Sequence, residues 1–79
     1  MTNSGQKKPS NAEVDTLFAV YNSGNFQHSE SICRQLLENY PESGFVLNML
    51  GVIQDATGRS TEALQSYEKA IEVEPGYAD

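Results

Sequence analysis

The chain repeats itself. Gly24, Leu36, Leu37 and Pro41 stand 34 residues ahead of Gly58, Ala70, Ile71 and Pro75. In the same register Ser29 falls on Ala63 and Cys33 on Tyr67. A turn glycine, a small residue, an apolar pair and a closing proline thus share one spacing. Recurrence at this period marks a helical hairpin used twice, since one such unit cannot bury its apolar face alone. The first copy is expected over residues 10–43 and the second over 44–77. Residues 1–9 read as a flexible polar leader, and 78–79 as the opening of a further copy.

Local signals divide each copy into two helices. Ser10 followed by Glu13 is a capping box, in which each residue satisfies an amide of the other. A first helix is expected from about Asn11 to Tyr21, closing at Gly24. Asn25 is a good N-cap for a second helix to about Asn39, whose apolar residues Cys33, Leu36, Leu37 and Tyr40 share one face. Pro41 disfavours helix at the residue before it and ends this element. Ser43 caps a third helix from Gly44 to Ala56. That helix is apolar on more than one side (Phe45, Val46, Leu47, Met49, Leu50, Val52, Ile53), the pattern of an element packed on two fronts. Ser60 is expected to cap a fourth, with Ala63, Leu64, Tyr67, Ala70 and Ile71 in one stripe and Pro75 as its stop. No stretch alternates with period two, so no strand is expected.

Seventy-nine residues make one small domain, with eleven acidic residues against five basic ones and a formal charge of −6. That balance disfavours nucleic acid and anionic membrane, which attract basic clusters. No apolar run is long enough to span a bilayer, and the first ten residues lack the apolar core of a signal peptide. A cytoplasmic location is expected. Cys33 is the sole cysteine, which excludes an internal disulfide. With His28 it falls short of the four ligands of a structural zinc site.

The second copy, "LGVIQDATGRSTEALQSYEKAIEVEP", resembles the tetratricopeptide repeat family. Leu50 and Gly51 stand as its Leu-Gly pair, Gly58 as its turn glycine, and Ala63 with Tyr67 as its alanine and aromatic. Ala70 and Pro75 complete the pattern. Leu47 and Gln54 occupy positions where the family often has tryptophan and tyrosine. The first copy is looser: Thr16-Leu17 replaces Leu-Gly, Val20 sits at the tyrosine position, and Ser29 and Cys33 replace alanine and aromatic. The resemblance implies an all-α fold, an α-α superhelix of two helix-turn-helix repeats made from four antiparallel helices. Gly24, Leu36, Pro41, Leu50, Gly51, Gly58, Ala63, Tyr67, Ala70 and Pro75 are then packing and turn positions, with Gly51 and Ala63 small so that paired helices approach closely.

No residue pattern of catalysis is present. There is no phosphate-binding glycine loop and no nucleophile elbow. His28 reads as a solvated surface residue and Cys33 as a small buried hydrophobe. Asp15 and Asp55 read as solvated acids. No enzyme activity, cofactor or metal is expected.

In the resembled family the first helix of each repeat lines a concave, partner-binding face. Helical spacing assigns Asn11, Asp15, Phe18 and Asn22 to that face in the first copy, with Val14 and Tyr21 nearby. In the second it assigns Phe45, Asn48, Met49, Val52 and Asp55. A competing reading makes Phe18, Phe45 and Val52 ordinary contacts between helices. Family members that grip acidic C-terminal peptides use a clamp containing lysine and arginine. These positions hold neither, so a neutral or basic segment with an apolar anchor is the expected ligand. The leading expectation is a protein–protein interaction scaffold or adaptor. The alternatives are a repeat segment that recruits substrate protein to a larger enzyme, such as a glycosyl- or sulfo-transferase, and a self-assembly element. Two repeats leave the last helix uncapped. A fragment of a longer protein, a homodimer through that open end and a fold-back of Tyr77 are the three expectations for it.

Overall fold

The computed structural model describes residues 8–74. Pro75, Tyr77 and the start of a further copy at 78–79 lie outside the described residues. Within them four helices follow one another: α1 (Asn11–Asn22), α2 (Phe26–Asn39), α3 (Gly44–Ala56) and α4 (Ser60–Val73). The short turns at 23–25, 40–43 and 57–59 make successive helices antiparallel neighbours. The fold is an all-α helical repeat.

The helix ends follow local chemistry. Ser10 Oγ accepts the Glu13 amide at 3.2 Å, and Glu13 Oε1 accepts the Ser10 amide at 2.8 Å. Asn25 Oδ1 accepts the His28 amide, and Ser43 Oγ the Val46 amide, each at 3.2 Å. Gly24 and Gly58 end their helices at φ +84° and +81°, where a side chain would be strained. The start of α4 differs from the expectation. Arg59, and not Ser60, is the N-cap, and no side chain caps this helix. Gly58 turns the chain one residue sooner, so Ser60 already has helical geometry. The Arg59 side chain leaves the helix end for Glu30 on α2.

α3 is the centre of the fold and packs against both α2 and α4. Val46 and Ile53 are fully buried on it, in one cluster with Leu17, Cys33, Leu36, Tyr40, Met49 and Leu50. The α3–α4 contact is close because Gly51 carries no side chain: a Cβ there would stand 2.6 Å from Tyr67 Cε1. The first hairpin distributes its bulk the other way. Leu17 stands at the Gly51 register and Cys33 at the Tyr67 register, and both are fully buried. A large residue on one helix thus faces a small one on its partner in both hairpins, with the sides exchanged.

Each hairpin is also tied at its open end. Tyr40, at the end of α2, donates its hydroxyl to Glu13 Oε1 on α1 at 3.0 Å. Glu74, 34 residues later, accepts the Gly44 amide of α3 at 2.5 Å. Between hairpins, Glu30 takes both arms of the Arg59 guanidinium, one at 3.1 Å, and also Arg34 at 2.7 Å. Inside the second hairpin, buried Ser66 donates to Gln54 Oε1 at 2.6 Å.

Candidate protein-binding face

α1 and α3 meet through two rings. Phe18 and Phe45 pack edge to face, with centroids 5.6 Å apart and planes at 64°, the arrangement aromatic quadrupoles favour. The pair joins two helical stripes. Asn11, Asp15, Phe18 and Asn22 recur at i, i+4, i+7 and i+11 on α1; Phe45, Asn48, Val52 and Asp55 recur at i, i+3, i+7 and i+10 on α3. Such spacings put each set on one side of its helix.

Exposure separates the members. Asn11, Asp15, Asn22 and Asp55 are exposed, and Phe45, Asn48 and Val52 are half-buried. Phe18 remains 39% exposed after packing on Phe45, so one ring serves both as a helix contact and as open apolar surface. Met49 departs from its expected place. It is 7% exposed and lies in the core cluster, because α3 turns it toward the interior beside Leu50 and Ile53. Of the nearby residues, Val14 is half-buried, and Tyr21 tilts against Phe26 with centroids 5.6 Å apart.

The charge on these stripes is acidic. Asp15 and Asp55 belong to them, whereas Arg34 and Lys69 stand on α2 and α4 and Arg59 in the turn before α4. Lys8 precedes α1. Burial, and next the negative charge of Asp55, push the Tyr67 phenol above its ordinary range.

The turn and packing positions are placed as follows. Leu36, Leu50, Gly51, Ala63 and Ala70 are buried, Tyr67 is half-buried, and Gly24, Pro41 and Gly58 are exposed. Cys33 is fully buried. Burial first, then the Glu30 carboxylate, push its thiol up to about 12, which keeps it protonated and non-nucleophilic. His28 is exposed near the start of α2. Among the described residues no group of His, Cys, Asp and Glu is arranged to hold a metal ion, and no helix is long and apolar enough to cross a membrane.

The Gln54–Ser66 bond and the Glu30–Arg59 pair escaped the sequence reading. Their partners lie 12 and 29 residues apart, and neither fits a helical period. One signal was available for the first: a polar Gln54 in an otherwise apolar stretch of α3 requires a buried partner.

Successive antiparallel helices, with a glycine–aromatic contact inside a hairpin and aromatic contact between first helices, define a helical-repeat protein. The second hairpin belongs to the tetratricopeptide repeat family, whose model matches residues 46–77. The chain is also similar to a Pseudomonas putida protein named "Probable biofilm formation methyltransferase WspC". The two are 34% identical over 58 residues, which make up 73% of this chain and 14% of that protein.

Proposed function

We propose that the chain binds an extended protein segment along the α1–α3 face, and that the segment carries an apolar anchor next to a basic residue. The tetratricopeptide repeat is a protein–protein interaction scaffold, and residues 10–43 act in this reading as a divergent repeat beside the one at 44–77. The observation that carries the proposal is Phe18, a large ring left 39% exposed between acidic positions. An apolar side chain of the partner covers that ring, while Asp15 and Asp55 attract lysine or arginine. Such a cation can also sit over the open face of Phe18. Asn22 and Asn48 offer amides to the segment's backbone.

A peptide array probed with the whole chain tests this reading. Basic peptides with an apolar anchor are expected to bind. Asp15→Lys/Asp55→Lys should turn the preference toward acidic peptides, and Phe18→Ala should abolish both. Unchanged selectivity in the charge-reversed variant overturns the assignment.

A second reading attaches the repeats to an enzyme as the segment that recruits its protein substrate. The similar Pseudomonas putida protein is named a methyltransferase, and this chain covers 14% of it. A methyltransferase domain encoded in the same reading frame supports this reading; a frame that encodes helical repeats alone rules it out.

A further inference from the structure

The two ends of the helical stack complement each other. On α4, Leu64 and Ile71 lie two turns apart on one side and are 57% and 49% exposed. At the opposite end, α1 and α2 frame an open groove. Exposed Ala12 and Thr16 form its α1 wall, Ile32 and Leu36 its apolar floor, and Glu13 and Gln35 flank it.

The repeat register says what such surfaces contact. Ile71 corresponds to Leu37, which packs against the core, and Leu64 to Glu30, which holds Arg59 across the joint. Ala12 and Thr16 correspond to Val46 and Leu50, which are 0% and 5% exposed in the core cluster. Ile71 and the α1 wall of the groove thus repeat, uncovered at the two ends of the described helices, the two apolar sides of the interior joint between hairpins. The α1 wall of the groove carries smaller residues than its interior counterpart, Ala12 and Thr16 for Val46 and Leu50, which leaves room for the branched side chains of α4, while the floor carries larger apolar ones, Ile32 and Leu36 for Ser66 and Ala70.

We infer that a second copy of this chain docks its α1–α2 groove onto α4, so that copies join head to tail. The contact is heterologous: the α4 ridge of one molecule fills the groove of the next, and each added copy presents a fresh ridge. The driving force is apolar burial, opposed by repulsion between chains of charge −6. Added salt screens that repulsion and strengthens association.

Sedimentation velocity of the whole chain, from low micromolar to submillimolar concentration, gives the first test. The weight-average mass should rise past that of a dimer, and rise further with salt. Leu64→Glu/Ile71→Glu removes the ridge, and Thr16→Arg fills the groove; both alter exposed side chains, and circular dichroism checks that the helices persist. Each variant should be monomeric alone. Mixed, they should form a one-to-one dimer, since one retains a groove and the other a ridge. A wild-type chain that stays monomeric throughout overturns the inference. So does a Thr16→Arg variant that still dimerises, because that result assigns the contact to two α4 ridges. Neither result bears on the α1–α3 face, which the peptide array tests separately.

Discussion

The Tyr67 ring fills the space that a side chain on Gly51 would need, with Cε1 2.6 Å from where a Cβ would stand. This contact sets how closely α3 and α4 approach. Gly51→Ala is therefore expected to destabilise the fold by up to about 2 kcal/mol: overpacking costs ~1–3 kcal/mol, offset by the ~1 kcal/mol that alanine contributes to helix propensity. Urea denaturation measures it. Tyr67→Leu should cost less in the Gly51→Ala background than alone, and strict additivity of the two would show that the ring is not what alanine meets.

The inter-hairpin ion pair predicts a pH dependence. Glu30 is held below its ordinary 4.5, first by hydrogen bonding to Arg59, and Glu13 first by the Ser10 amide. The unfolded chain therefore takes up these protons at higher pH than the folded one. Their stabilisation is complete above 4.5 and is lost as pH falls through the lowered folded values. Arg59→Met should flatten that acid loss in a thermal melt series. At neutral pH it should cost little, because the Arg59 side chain is 35% exposed and solvent screens the pair. An unchanged acid profile would remove Arg59 from this role.

The buried Gln54–Ser66 bond predicts an asymmetry between single and double variants. Ser66→Ala leaves the Gln54 amide buried without its donor and should cost about 1–3 kcal/mol. Gln54→Leu in that background should recover most of the loss, since no polar group is then left unpaired. Chemical denaturation of the single and double variants decides, and equal losses in the two would refute it.

Glu74 closes the second hairpin through the Gly44 amide at 2.5 Å. A carboxylate at a helix N-terminus also suits the helix dipole. Glu74→Ala should cost about 1 kcal/mol and speed hydrogen exchange at the Gly44 amide, with little change at Val46, whose amide is held by Ser43. Exchange that accelerates equally at both amides would indicate general loosening of α3.

The legible parts of the fold were those written in short spans. Ser10 with Glu13, Asn25 and Ser43 announced three helix starts because a cap and its amide lie within three residues. Gly24 and Gly58 announced two helix ends because the left-handed turn requires glycine there. Arg59 was not legible as a cap. Its side chain is committed to Glu30, 29 residues away, and no local rule contains that partner. The candidate face was partly legible. Spacing placed Asp15, Phe18 and Asp55 on it, and placed Met49 there too, because a stripe on a helix packed on two fronts does not say which edge is covered.

The sequence by itself determined four helices, their turns and the period that pairs them, since periodicity, capping and turn chemistry act within a few residues of the chain. Only the tertiary structure decided that Met49 turns inward while Phe18 stays open, that Leu17 with Cys33 mirrors Gly51 with Tyr67, and that Leu64 and Ile71 end uncovered. Each of these depends on the shape and distance of a neighbouring helix, which contacts between residues far apart in the chain impose.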